Sequence, residues 1–189
     1  MKRFSDRLKE KGVVMRPASV PNPIVRSEEG VWVIVEARDR SERCRFLVDE
    51  DVYAALVAPH RWNVGGVERN RVYHSGRTPS GNSTVLLARF IFDPPADREV
   101  DHINGDPLDN RYENLRVATR KQNEENRHVS RGKSKYRGVH PCKQTGRWRA
   151  QVTHNYTAHK SPRFDTEEEA RAWAVAKRDE LFTHHRQSS

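Results

Sequence analysis

Cysteine and long apolar runs are what this 189-residue chain lacks. Cys44 and Cys142 are too few for a disulfide framework or a cysteine-rich zinc site, so we expect a reducing, intracellular compartment. No stretch approaches the roughly 20 apolar residues of a membrane-spanning helix. The basic N-terminus is followed by no apolar segment of the kind found in secretory signals. The composition therefore predicts no membrane association and no secretion, and no motif indicates a small-molecule cofactor.

Acidic residues are also unevenly distributed. The chain has 35 Lys and Arg against 26 Asp and Glu, which gives a net charge of +9 and a pI near 9.9. Positions 126–164 contain no acidic residue and ten Lys or Arg. Such a concentrated positive charge favours a polyanionic partner, nucleic acid first and an acidic membrane surface second. Double-stranded DNA is the expected partner, and RNA is the weaker alternative because a basic face alone does not distinguish them.

The order of sequence patterns predicts two folded parts with connecting segments. Prolines near its end make residues 1–25 a flexible basic arm. An α+β platform follows, with a β-branched strand at 31–35, a second strand at 44–48, a short helix at 49–58 and an apolar helical stripe at 86–91. A linker at 129–134 leads to a second module at 135–183, and residues 184–189 are expected to fray.

A ββα unit is predicted at the end of the first part, over about residues 98–127. An extended segment at 99–103 is followed by turn-forming residues at 104–110 and a strand at 115–118. Thr119 and Gln122 match a capping box that begins a helix through about Arg127. This arrangement brings a small set of polar side chains together within 30 residues.

These side chains suit metal-dependent phosphodiester hydrolysis, which needs a base, a hard cation and a group that orients the base. His102 is a suitable base, and Asp101 is an oxygen ligand of the type that Mg²⁺ prefers. Neighbours on a regular strand face opposite ways, so this pair must lie where the strand ends. Asn114 is placed to orient the imidazole. Asn123 and Asn126 share a helix face, and either of them can reach the metal.

The sequence of this unit resembles a known enzyme family. The matching runs are Val100-Asp101-His102-Ile103-Asn104-Gly105-Asp106, Leu108-Asp109-Asn110-Arg111, Glu113-Asn114-Leu115-Arg116, Ala118-Thr119, Gln122-Asn123 and Asn126-Arg127. Together they resemble the HNH (His-Me finger) endonucleases of phages and mobile introns. The resemblance implies that Asp101 and Asn123 bind one Mg²⁺ or Mn²⁺ per active site, that His102 is the general base and that Asn114 orients it. The Asn123 position is often histidine in that family, which weakens the case for a tightly bound transition metal.

The second module has its own pattern and resemblance. Strand alternation on 147–152 sends Arg147, Arg149 and Gln151 to one face and Trp148, Ala150 and Val152 to the other. The runs Ser134-Lys135-Tyr136-Arg137-Gly138-Val139, Gly146-Arg147-Trp148-Arg149-Ala150 and Phe164-Asp165-Thr166-Glu167-Glu168-Glu169-Ala170 resemble the ethylene-response-factor (AP-two) DNA-binding domain. That resemblance implies a three-stranded sheet in the DNA major groove backed by a helix. The DNA contacts that it implies are Arg137, Arg147 and Arg149, with His140 and Lys143 beside them.

The sequence therefore predicts an α+β protein. An HNH endonuclease domain at 26–128 carries a ββα-metal finger, and a small three-stranded antiparallel sheet with one helix follows at 135–183. The expected function is that of a homing-type DNA endonuclease, monomeric or homodimeric, encoded by a phage or another mobile element and acting inside a bacterial host. The alternative is a sequence-specific DNA-binding regulator whose finger is catalytically inactive.

Overall fold

The structure, a computed structural model, describes residues 12–15, 20–36, 43–65, 71–78, 81–126 and 133–183. The chain forms two compact units, residues 1–119 and 120–189. Both units combine short helices with small antiparallel sheets, in agreement with the expected mixed α and β composition. The predicted tail at 184–189 lies outside the described residues, as do most of the expected arm and linker.

The first unit contains two three-stranded antiparallel sheets. The first sheet has the order β1-β2-β3, formed by Ile24–Ser27, Gly30–Glu36 and Arg43–Val48. The second has the order β4-β5-β6, formed by Asn63–Gly65, Arg71–Thr78 and Gly81–Leu86. Strands β2 and β3 confirm the two strands predicted at 31–35 and 44–48.

Two short helices accompany these sheets, numbered here within the described residues. Helix α1, Glu50–Val52, continues directly into a π-helical turn at Tyr53–Val57. Helix α2, Leu87–Phe92, ends at Asp93, whose φ of 45° places it in the left-handed region. Both helices lie where the sequence predicts them.

The core of the first unit is formed by β-branched and aromatic side chains of both sheets and both helices. Trp62, Phe46 and Leu87 are its largest fully buried members. Val13 is only 8% exposed and belongs to this core, although it lies in the segment expected to be a flexible arm. The Asn22 side chain likewise accepts a bond from the Trp62 backbone N–H at 3.0 Å. Parts of the 1–25 segment are therefore packed against the first unit. Val13 and Asn22 make these contacts, and the prolines of the segment give no indication of them.

A two-stranded sheet completes the first unit. Strand β7, Glu99–His102, pairs antiparallel with β8, Leu115–Ala118, and a 3₁₀ turn at Tyr112–Asn114 precedes β8. These are the two strands of the predicted ββα unit. Its helix, α3, comprises Arg120–Glu125 and lies in the second compact unit.

The rest of the second unit is a three-stranded sheet with one long helix. Strands β9 (Val139–Pro141), β10 (Trp148–His154) and β11 (Thr157–Phe164) form an antiparallel sheet with β10 in the centre. Helix α4, Glu167–Leu181, follows β11. Strand β11 begins directly after a two-residue hairpin turn, because Asn155 and Tyr156 adopt φ of 48° and 64°.

Helix α4 packs on one face of this sheet. Ala150 and Val152 of β10 are buried with Ala170 and Ala174 of α4, as the strand alternation predicts. Trp148 and Trp173 are partly buried against this cluster. The Thr166 side chain accepts from the Glu169 N–H, and the Glu169 carboxylate accepts from the Thr166 N–H, so a capping box begins this helix.

Candidate active site and nucleic-acid interface

Asp101 and His102 are the last two residues of β7, at the strand end that their chemistry requires. Asp101 is 5% exposed and lies opposite Arg116 of β8. Nε and Nη2 of Arg116 donate to Oδ2 of Asp101 at 2.9 and 2.7 Å. The first predicted metal ligand is therefore a buried carboxylate, and one of its oxygens already accepts two hydrogen bonds from Arg116.

The His102 ring contacts Asn110, a residue that the sequence analysis treated as a turn former. Nε2 of His102 lies 3.3 Å from Oδ1 of Asn110. Nδ2 of Asn110 donates to the carbonyl of Pro107 at 3.2 Å, and this fixes which end of the amide faces the ring. Because Oδ1 can only accept, Nε2 carries the proton. The neutral ring then has its lone pair on Nδ1, which is the nitrogen that can accept a proton.

Asn110 is held in place by the first sheet of the same unit. The Leu47 N–H donates to the carbonyl of Leu108, and the Asn110 N–H donates to the carbonyl of Leu47, both at 2.8 Å. The Asn110 side chain is only 1% exposed. Strand β3 therefore anchors the loop between β7 and β8 and sets the position of the amide that faces His102.

Asn114, predicted to orient His102, binds the backbone of the same loop. Its Oδ1 accepts from the Asn104 N–H at 2.9 Å, and its Nδ2 donates to the carbonyl of Asp109 at 2.7 Å. Its own carbonyl accepts from the Ile103 N–H at 2.8 Å. Asn114 thus fixes the chain directly after His102, while Asn110 contacts the ring.

The burial of His102 keeps its ring neutral. Burial lowers the pKa of His102 below its ordinary value, against the hydrogen bond with Asn110 and the negative charges of Asp101, Asp106 and Asp109. A neutral ring at neutral pH is the form that can act as a base.

The fit of a divalent cation can be judged from the donor groups. Within the described ranges, no three His, Cys, Asp or Glu side chains group together as a metal cluster. Mg²⁺ usually takes one or two protein carboxylates and keeps several waters, so such a cluster is not required. The carboxylate of Asp101, which already balances the charge of Arg116, has the hard oxygen chemistry that Mg²⁺ or Mn²⁺ prefers.

The two candidate helix ligands lie on α3 and at its end, in the second unit. Asn123 is half-buried, and Asn126 is 3% exposed with its N–H donating to the carbonyl of Gln122. Which of the two binds the metal and which serves only the fold stays a prediction.

The five predicted DNA contacts occupy different environments in the second unit. Nη1 and Nη2 of Arg137 donate to the carbonyls of Glu125 and Glu124 at 3.0 and 3.1 Å. Arg147 is exposed and pairs with Asp165 at 2.8 Å. Lys143 is exposed in the turn between β9 and β10. Arg149 and His140 are cross-strand partners on β10 and β9.

Two further basic residues join the sheet face that is opposite α4. Arg163 is the cross-strand partner of Arg149, and Lys160 is the partner of Gln151. Both are exposed. Like charges directly opposite each other destabilise a strand pair, so the cross-strand pair Arg149 and Arg163 favours a polyanion that neutralises it. Sequence reasoning missed Lys160 and Arg163 as surface candidates, and the hairpin signal of Asn155 would have placed them on a strand.

Comparison with known proteins agrees with this geometry. The family model described as HNH endonuclease matches residues 72–125, which include β7, β8 and α3. An uncharacterised HNH endonuclease of Acanthamoeba polyphaga mimivirus is 30% identical over 133 residues, covering 67% of this chain and 65% of that relative. No solved structure shows a significant match. The segment similar to HNH endonucleases therefore contains Asp101, His102, Asn114 and Asn123.

Proposed function

We propose that this protein is a metal-dependent, homing-type DNA endonuclease targeted by its C-terminal unit. The observation that carries the proposal is the paired arrangement at the end of β7, within the segment that matches HNH endonucleases. There Asn110 holds the Nε2–H tautomer of His102, and Asp101 next to it presents a buried carboxylate. A base and a hard-cation ligand side by side are what phosphodiester hydrolysis requires.

In the proposed mechanism, Nδ1 of His102 takes a proton from the attacking water. Asn110 donates no proton but keeps the lone pair on Nδ1, and Asn114 holds the backbone that follows the ring. Asp101 would hold Mg²⁺ or Mn²⁺, with Asn123 as the second ligand that the family resemblance implies. A bound divalent cation supplies charge stabilisation for the phosphate and the departing oxygen.

One finger has one base, so one active site cuts one DNA strand. A monomer would then nick duplex DNA, and a homodimer would cut both strands. The mimivirus relative supports a viral or mobile-element origin, which is the setting expected for a homing-type enzyme.

The C-terminal unit is the proposed DNA-targeting module of the ethylene-response-factor type. Its support is the antiparallel three-stranded sheet backed by α4, with exposed basic residues on the other face. The proposed contacts are Arg147, Arg149, His140 and Lys143, to which the sheet register adds Lys160 and Arg163.

Supercoiled-plasmid relaxation tests the nuclease. The wild-type protein should nick plasmid in Mg²⁺ or Mn²⁺ and not in EDTA, and His102→Ala should abolish nicking while DNA binding in EDTA is retained. Plasmids carrying the native locus should be included because a homing-type enzyme recognises rare sites. Salt-sensitive DNA binding without nicking on any of these plasmids would support the alternative, a DNA-binding regulator with an inactive finger.

Fluorescence polarisation tests the polyanion partner. If about six phosphates are neutralised, log K for duplex DNA should fall by roughly 5 per tenfold increase in salt. Arg149→Ala and Arg163→Ala should each make this slope shallower by about 1. A flat salt response would refute the proposal that the basic sheet face binds DNA. Stronger binding to RNA than to duplex DNA in direct competition would make RNA the substrate.

A further inference from the structure

Helix α3 is too short to be stable without tertiary contacts. It has six residues, Arg120–Glu125, whereas isolated helices shorter than about 12 residues are marginal in water. The last carbonyls of a helix have no partner within the helix and must find one elsewhere. The contacts at the C-terminal end of α3 therefore decide where this helix is held.

Arg137 satisfies two of those carbonyls. It precedes β9, and its guanidinium donates to the carbonyls of Glu124 and Glu125 at 3.1 and 3.0 Å. An arginine at this end of a helix also interacts favourably with the helix dipole. Arg137 is itself held, since Arg178 of α4 donates to its backbone carbonyl.

Glu125 makes a second set of contacts from the same helix end. Its side chain is 7% exposed, and Oε2 accepts from the N–H of Thr183 at 3.1 Å, directly after α4. The other oxygen lies 3.7 Å from Nε2 of His154, at the end of β10. A buried carboxylate is costly unless such partners are present. The end of α3 is thus fixed to both the sheet and the long helix of the C-terminal unit.

Asn123 lies two residues before Glu125 on this helix. We infer that Arg137 and Glu125 are positioning residues, which fix α3 and with it Asn123 on the C-terminal unit. The module proposed to bind DNA then also sets the position of one proposed metal ligand. This inference rests on the proposed function, and it assigns Arg137 a role different from the DNA contact that the sequence implies.

Full-length Arg137→Ala and Glu125→Ala test the inference by hydrogen exchange and Mn²⁺ titration. The backbone amides of α3 should exchange at least about tenfold faster in both variants, because the helix end loses its partners. Mn²⁺ affinity should fall about tenfold, the lower end of the range seen when groups that orient metal ligands are removed. The kcat for nicking should fall with the KM for DNA unchanged, and DNA affinity in EDTA should stay within about twofold.

Controls and a rescue separate positioning from general damage. Arg171→Ala and Glu180→Ala change exposed residues of α4 and should leave α3 exchange and Mn²⁺ affinity as in the wild type. Glu125→Gln keeps an acceptor oxygen for the Thr183 N–H. It should therefore recover most of the α3 protection and Mn²⁺ affinity that Glu125→Ala loses. Thermal unfolding of each variant shows that the chain is folded.

Three outcomes would overturn the inference. In the first, Arg137→Ala weakens DNA binding in EDTA and lowers the salt slope by about 1 while α3 exchange is unchanged, which makes Arg137 a phosphate contact. In the second, α3 exchange rises but Mn²⁺ affinity and kcat do not change, so the contacts serve only the fold. In the third, the wild type neither binds Mn²⁺ nor nicks DNA, which refutes the proposed function as well.

Discussion

Asp101 and Arg116 face each other across β7 and β8, and two guanidinium nitrogens donate to one carboxylate oxygen. The side chain of Asp101 is 5% exposed and that of Arg116 is 25% exposed. A carboxylate so buried needs a counter-charge, and Arg116 provides one from within the protein. The proposed metal ligand is thereby fixed in direction.

Removing Arg116 should therefore destabilise the fold. We expect Arg116→Met to lower the free energy of unfolding by about 3 kcal/mol, because it leaves a buried charge without its partner. The double variant Asp101→Asn with Arg116→Met should recover a large part of this loss, since no charge is left buried. Urea unfolding of Arg116→Met, Asp101→Asn and the double variant measures these changes.

The exposed pair Arg26–Glu50 is the matched control. It has comparable hydrogen-bond lengths, but its side chains are 61% and 57% exposed. Arg26→Met should leave the free energy of unfolding almost unchanged because solvent screens the pair. Strictly additive effects of the Asp101 and Arg116 changes would show that the two residues are not coupled.

Asn110 should control both the tautomer of His102 and the rate of nicking. Asn110→Ala removes the acceptor at Nε2, and we expect kcat to fall roughly 100-fold, within the usual contribution of a positioned base. Ring ¹⁵N chemical shifts of His102 should show the Nε2–H tautomer in the wild type and a mixture in the variant. Asn82→Ala, an exposed change in β6, should alter neither quantity. A wild-type ring protonated on Nδ1 when neutral would contradict the assignment.

Local patterns predicted most of the elements around the site. Strand β2 follows from its β-branched run, and β7 and β8 follow from the extended segments on either side of the turn-forming residues. These features depend on residues close together in sequence, which is why they can be read without a structure.

The role of Asn110 could not be predicted in this way. Its sequence context resembles that of any other turn-forming asparagine of the loop, and the bond of its N–H to Leu47 of β3, 63 positions earlier, places it beside His102. Arg137 is similar, because its partner carbonyls belong to a helix that the sequence assigns to another domain. Both roles arise from long-range packing that a local pattern does not encode.

Gly138 should tolerate no side chain. Its φ is +76°, and an added Cβ would lie 2.5 Å from the carbonyl oxygen of Gln151. We expect Gly138→Ala to lower the free energy of unfolding by about 3 kcal/mol, through both left-handed strain and overpacking. Gly146 is the matched control, since its φ is +69° with open space around it, and Gly146→Ala should cost only about 1 kcal/mol. Equal losses in urea unfolding would show that the contact with Gln151 is unimportant.

Asp109 should make the free energy of unfolding depend on pH in the acidic range. Burial alone would raise the pKa of Asp109, but the hydrogen bonds from Arg111 and Asn104 outweigh it and lower the pKa below the ordinary value near 3.8. Its stabilisation is therefore complete above about pH 5 and is lost as the pH falls through the folded-state pKa. In urea unfolding, the free energy of unfolding of the wild type should exceed that of Asp109→Asn at pH 7. The difference between the two should shrink below about pH 4. A pH-independent gap for Asp109→Asn would contradict the linkage.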